Sequence, residues 1–355
     1  MSSRRCVDRA AVCVLPCTVY CGTGMTERLT NDRVTLIPRT SFDGPGLTFD
    51  FPSVYIGVAE YPEGPTGCTV FYFPATAQAV VDVRGGSHGT LLTDERDRVE
   101  AICLAGGSLL GLEAATGVSA ELFAMRGYST GWTDIPLVSG GIIFDYGARD
   151  NAIYPDKALG RAAIRAARPG VFPVGPHGAG ASATVGKGLD RRWMEKAGQG
   201  AAFRQIGPTR IAVFTVVNAV GAIVDRQGRV VRGNRDPETG QRYHYMEGLA
   251  RRLAVAGPAE PPPEPPSGNT TLTVLITNQR MLAERGPVWA LRQLARTVHT
   301  SMGRAIQPFH TPYDGDVLWA VTTGEVQNPD LNDVTLGVIA SELAWDAVLC
   351  CFEAQ

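Results

Sequence analysis

Four consecutive residues, Gly268-Asn269-Thr270-Thr271, carry the clearest chemical possibility in the chain. A threonine hydroxyl is a poor nucleophile unless a base sits beside it. A free α-amino group, with a pKa of about 7.7–8.0, is such a base near working pH. A cut before Thr270 would therefore place nucleophile and base on one residue. An ordinary strand start accounts for the same four residues equally well. Other familiar patterns fail. Residues 175–188, GPHGAGASATVGKG, imitate a phosphate-binding loop, but Gly180 is too far from Gly186-Lys187, and Gly188 stands where Ser or Thr is required. Gly106-Gly107-Ser108-Leu109-Leu110 misses the nucleophile elbow at its last residue. No H-E-x-x-H and no paired C-x-x-C occurs. His299 and His310 lie on different predicted elements and read as structural histidines, because buried polar groups are normally bonded.

The elements that would position Thr270 follow from pattern. Residues 256–268, AGPAEPPPEPPSG, form an extended, proline-rich connector that cannot sit inside a sheet. Beyond it, residues 270–277 (TTLTVLIT) are β-branched and predict a strand. A helix over 288–306, a strand over 317–323 and a helix over 334–350 complete a strand–helix–strand–helix order. Upstream, strands are expected at 54–59, 67–73 and 142–146, and helices at 101–125 and 157–167. The apolar run 211–224 predicts one long buried strand with Asn218 in its middle. Residues 1–46 are polar and irregular and read as a loose tail; 47–355 read as one domain.

Composition narrows the classes further. The 355 residues are 44% apolar and 19% charged, enough to bury a sizeable core. Thirty-three basic against 35 acidic residues give a net charge of −2, which offers no field for nucleic acid or an anionic membrane. Run 211–224 is too short for the roughly 20 residues of a membrane span. The N-terminus loosely mimics a signal peptide, but Pro16 and interleaved cysteines spoil its apolar core. Cys6, Cys13, Cys17 and Cys21 lack zinc-site spacing. The expectation is a reduced, cytoplasmic protein without metal or organic cofactor.

Ordered stretches then carry a resemblance. They include Phe49-Asp50-Phe51-Pro52, Glu63-Gly64-Pro65-Thr66-Gly67, Val83-Arg84-Gly85-Gly86 and residues 101–107, AICLAGG. Residues 154–163 (YPDKALGRAA), 198–204 (GQGAAFR), 231–234 (VRGN), 268–271 (GNTT), 306–311 (IQPFHT) and 344–349 (AWDAVL) continue the set. Together they resemble the N-terminal-nucleophile hydrolases typified by the DmpA aminopeptidase, and within that family the branch acting on nylon oligomers. The first 46 residues are outside the resemblance.

The resemblance implies an α+β fold, a four-layer αββα sandwich. It also implies self-cleavage between Asn269 and Thr270, giving chains 1–269 and 270–355. Thr270 would be the nucleophile and its new amine the base. Lys187 would hold positive charge beside it, favouring the neutral amine and steadying an oxyanion. Asn218 would be an oxyanion-side donor, and Asp314 and Asp316 would orient the threonine. Without the family, Asp314-Gly315-Asp316 is a turn or half a calcium loop, and it lacks the further ligands of one. Two positions depart from the family. Phe144 stands where the family has a site tyrosine, and Leu110 also replaces a tyrosine. Tyr146, two residues along the same strand, is the candidate substitute, though a spacing of about 6.6 Å argues against a simple swap. The implied reaction is amide hydrolysis of 6-aminohexanoate oligomers or polyamide segments by a homotetramer of large/small chain pairs. Peptides with β- or D-residues, or acyl transfer of the ornithine acetyltransferase type, are the alternatives.

Overall fold

Both faces of residues 270–277 carry apolar or threonine side chains, so a strand there needs a packed layer on each side. The computed structural model, which describes residues 28–93, 97–255 and 268–352, supplies both. Its large sheet has nine strands among the described residues: β1 (Tyr55–Tyr61), β2 (Thr66–Val83), β3 (Thr90–Leu91), β4 (Arg98–Ala105), β5 (Val138–Ile142), β6 (Gln199–Ile206), β7 (Thr209–Asn218), β8 (Thr270–Gln279) and β9 (Val317–Val326). Five α-helices accompany them: α1 (Leu112–Met125), α2 (Lys157–Arg165), α3 (Tyr245–Val255), α4 (Pro287–Ser301) and α5 (Asp333–Leu349).

The strand order is β6-β7-β8-β9-β2-β4-β5-β3, with β1 also on β2. Pairs β8/β9 and β4/β5 are parallel; the others are antiparallel. The 18-residue β2 belongs to both halves of the sheet. Its first part pairs with β1 and β4, and its last six residues pair with β9. The register shifts between Tyr72 and Ala77, where Thr76 takes φ 59°.

Side-chain alternation turns these halves into layers. Leu272, Val274 and Ile276 of β8 join Phe71, Phe214, Trp319 and Ile102 in a central core between the two sheet halves. On the opposite face Leu275, Val213 and Leu318 pack against Leu291, Val298, Leu343 and Ala347 of α4 and α5. Cys68, Val70, Ala101 and Cys103 face Val118, Leu122, Leu159 and Ala163 of α1 and α2. The result is helix, sheet, sheet, helix: an αββα sandwich.

Several elements differ from the expectations. Residues 101–105 are strand, not helix, and α1 begins only at Leu112; Gly106 and Gly107, the latter at φ 77°, end the strand. The apolar run 211–224 is two strands. β7 stops at Asn218, and Ala222–Val224 joins a separate three-stranded sheet. The turn between them passes so close to residues 307–308 that a Cβ on Gly221 would lie 2.2 Å from the Pro308 carbonyl oxygen. β5 ends at Ile142, so Tyr146 opens a 3-10 turn, Tyr146–Ala148, and does not share a strand face with Phe144. The described part of the N-terminal segment is irregular but not loose. Arg39 and Glu60 exchange backbone hydrogen bonds of 2.9 Å, and the Asn31 side chain brackets Tyr154 at 3.0 and 2.9 Å. The connector, apart from Gly268, and Cys6, Cys13, Cys17 and Cys21 lie outside the described residues. Among the described residues no helix is long and apolar enough to cross a membrane.

Candidate active site

Thr270 is the first residue of β8, buried at 2% exposure, and its register partner across the sheet is Asn218 at the end of β7. The strand end is held from the other side by Asp316, whose Oδ1 accepts the Thr271 N–H at 2.7 Å. Thr270 Oγ1 donates to the carbonyl oxygen of Asn269 at 2.5 Å. That same oxygen accepts the Gly315 N–H at 2.8 Å. The carbonyl before Thr270 is thus polarised by a fixed backbone donor while a hydroxyl lies against it. Asn269 is completely buried.

Lys187 reaches this place from the Gly-rich segment. Gly186 adopts φ 74°, and a Cβ there would lie 2.2 Å from the Asn234 nitrogen, so only glycine allows the chain to pass before the lysine. Backbone Lys187 N–H donates to Val220 at 2.9 Å. Its Nζ donates to Asn218 Oδ1 at 2.8 Å and to the Asn218 carbonyl at 3.2 Å. Asn218 is fully committed: Oδ1 also accepts Thr184 N–H at 3.1 Å, and Nδ2 donates to the carbonyls of Phe144 (3.0 Å) and Gly268 (3.2 Å). Burial pulls the Lys187 ammonium from its usual range down to about 7; Asp314 opposes that shift and Arg191 adds to it.

Asp314 is completely buried and accepts Val220 N–H (3.1 Å) and, through Oδ2, Thr311 N–H (3.0 Å) and Oγ1 (2.5 Å). Burial, then the neighbouring Asp316 charge, raises its carboxyl above the usual range. Asp316 Oδ2 accepts both the backbone N–H (3.2 Å) and Nδ1 (2.8 Å) of His310. Thr270, Lys187, Asn218, Asp314 and Asp316 therefore form one contiguous polar cluster around the Asn269–Thr270 bond.

Phe144 lines the adjoining cavity with Lys187, Thr184, Arg191, Met194 and Gly268. Its ring lies against Gly268, where a Cβ would come within 2.3 Å. Tyr146 does not join the cluster. Its hydroxyl is buried without a hydrogen-bond partner among the described residues, and Arg149 lies over its ring at 4.2 Å. Sequence reasoning missed three participants. Gly315 was visible only as the middle of D-G-D, yet a Cβ there would meet the Ser87 carbonyl at 2.4 Å. Thr184 gave no signal of its own, and His310 was read as a structural histidine. Among the described residues no group of His, Cys, Asp or Glu could hold a metal.

With this geometry in view, comparison with known proteins is specific. The profile of peptidase family S58 matches residues 47–354. A 6-aminohexanoate-oligomer endohydrolase from Agromyces sp. is 49% identical over 333 residues, covering 90% of this chain and 89% of the relative. Among solved structures, a β-aminopeptidase from Burkholderia sp. superposes with a TM-score of 0.60 at 16% identity, covering 87% and 88% of the two chains. The L-aminopeptidase D-Ala-esterase/amidase of Ochrobactrum anthropi, described as a variant of the Ntn-hydrolase fold, gives 0.58 at 17% identity over 88% of each chain. These two share the fold.

Proposed function

The chain belongs to peptidase family S58, the enzymes being hydrolases of amide bonds, and from that premise we propose that it is a self-processing amidase of 6-aminohexanoate oligomers. One observation carries the processing step: the Thr270 hydroxyl on the Asn269 carbonyl, with Gly315 N–H on the same oxygen. Attack of Oγ1 on that carbonyl carbon forms a tetrahedral oxyanion facing the Gly315 donor. The C–N bond then breaks, the nitrogen keeps its own proton and takes the one lost by Oγ1 to become the new amine, and an ester links Asn269 to Thr270. Water hydrolyses the ester, leaving an Asn269 carboxylate and a Thr270 whose hydroxyl and amine are both free.

In the mature enzyme that amine takes the hydroxyl proton as Oγ1 attacks a substrate amide, and passes it to the leaving amine. Water then releases the acyl group. Lys187, held by Asn218, stands near the new amine, and its charged form, present as pH falls towards about 7, favours the neutral form of that amine. Asp314 and Asp316 orient the strand end. The buried Asn269 carbonyl stands where a substrate's scissile carbonyl would lie, so departure of the 268–269 segment opens the acyl position. The 49% identity across most of both chains supports oligomeric 6-aminohexanoate amides as substrates. A homotetramer of large/small pairs in the cytoplasm completes the proposal.

A denaturing gel with intact mass should give fragments of 1–269 and 270–355, Thr270 at the new N-terminus. Thr270→Ala should remain one chain and release no 6-aminohexanoate units. Processing of that variant at the same bond would remove Thr270 from the nucleophile position. Cleavage of β- or D-peptides, with nylon oligomers untouched, would replace the substrate.

A further inference from the structure

The mechanism leaves His310 without a task, yet its surroundings are unusual. Asp316 is completely buried, and among the described residues its carboxylate takes one bond from the Thr271 N–H and the others from His310. Backbone N–H and Nδ1 converge on one oxygen, Oδ2, at 3.2 and 2.8 Å. A carboxylate only accepts, so Nδ1 carries the proton. Nε2 is then left buried without a partner among the described residues. His310 also adopts φ 57°, a conformation uncommon for residues other than glycine and held only where surroundings over-determine it.

The ring is clamped. It lies 3.9 Å from the Phe309 ring centroid and edge-on to His299 at 4.4 Å. His299 Nδ1 bonds Asp82 Oδ2 at 2.9 Å, and Asp82 accepts Arg84 Nε at 2.7 Å. A histidine buried merely for packing needs one partner for one nitrogen. It does not explain a left-handed backbone that brings two donors of one residue onto one carboxylate oxygen.

We propose that His310 is a positioning residue: it locks the Asp316 carboxylate and, through the Thr271 N–H, sets the end of β8 that presents Thr270. This rests on the reading of Thr270 as nucleophile. Three substitutions separate backbone from donor. His310→Asn keeps tolerance of positive φ and places an amide N–H where Nδ1 stood. His310→Gly keeps the backbone and removes the donor. His310→Gln retains an amide but moves it to the Nε2 position.

The measurements are extent of self-cleavage, kcat and KM on a 6-aminohexanoate oligomer, and thermal midpoint. Asn should stay within about threefold of the parent, while Gly and Gln lose about 10–100-fold in kcat with KM little changed, as misplacement of a reacting group does. Equal activity of Asn and Gly, whether both high or both low, would overturn the proposal. If Gly fails to fold, Asn against Gln decides on the same terms. Thr270→Ala, run in parallel, keeps the two ideas apart. An active Thr270→Ala would sink the nucleophile, whereas an inactive one beside indifferent His310 variants would sink only the positioning role.

Discussion

Lys187 and Arg149 are two buried cations that serve the same short segment, Phe144-Asp145, in opposite ways. Arg149 is compensated. Its guanidinium bonds Asp145 Oδ1 at 2.8 Å, Asn151 Oδ1 and the Ile153 carbonyl at 2.6 Å each. Asp145 in turn accepts Thr66 Oγ1 at 2.6 Å and Gly107 N–H at 2.9 Å. Among the described residues Lys187 is bonded only to the neutral oxygens of Asn218, with no carboxylate in contact, and burial brings its pKa down to about 7. A charge matched by a partner holds chain segments together. A buried cation without one is costly to structure, and is what a reaction site can use.

The largest effect should come from breaking the matched pair. Asp145→Ala strands Arg149 and should lower unfolding free energy by about 3–5 kcal/mol, read by denaturant melts. Activity should follow the folded fraction. A variant with parental stability but no activity would move Asp145 to the catalytic side and collapse the contrast.

Lys187→Met should do the reverse: hydrolysis down by about 10²–10³ with no loss of stability, since Thr184 N–H still satisfies Asn218 Oδ1. The pH dependence has a definite sign. The folded pKa, about 7, is below the unfolded value of 10.5. Below pH 7 the buried lysine must be charged, so its cost is fully present. Between the two values the unfolded chain binds more protons, and parental stability rises with pH. Lys187→Met should therefore be the more stable protein at pH 6, with the gap closing towards pH 9–10. A gap independent of pH would mean that Lys187 titrates normally.

Reading these two sites from sequence succeeded where patterning is local. The strand at 270–277 and the helix at 334–350 correspond to β8 and α5 within two residues at each end, because their starts are marked in the chain: the proline-rich connector precedes β8, and the Asn332 side chain caps α5. It failed where no such marker bounds the element. Residues 211–224 are apolar apart from Thr215, Asn218 and Gly221, and a single polar residue among buried neighbours does not by itself mark the end of β7 at Asn218. That break is set by Gly221 passing residues 307–308, a contact distant in sequence. Residues 101–105 misled because Ala, Ile, Leu and Cys suit a buried strand as well as a helix. The cluster around Thr270 came through the family resemblance. The Gly315 donor and the His310 lock did not, since a backbone N–H and a strained histidine leave no trace in residue type.

The smallest expected effect tests Phe144 and Tyr146, the two aromatics beside these cations. Their rings meet edge to face at 5.7 Å, but they lie on opposite sides of the distinction. Phe144 borders the Lys187 cavity; Tyr146 lies beneath Arg149. Burial raises the Tyr146 hydroxyl above its usual pKa, and it makes no hydrogen bond among the described residues. Removing an unpartnered buried hydroxyl costs no bond, so Tyr146→Phe should change stability by about 1 kcal/mol or less, in the stabilising direction. Turnover and self-cleavage should stay within about twofold of the parent by the same reasoning. Phe144→Tyr instead adds a donor to the cavity that holds Lys187 and Thr184, and should raise turnover by a few-fold at most, roughly the worth of one new hydrogen bond. A large loss in Tyr146→Phe, with an unchanged melt, would place that hydroxyl in the reaction and erase the division between the paired and the unpaired cation.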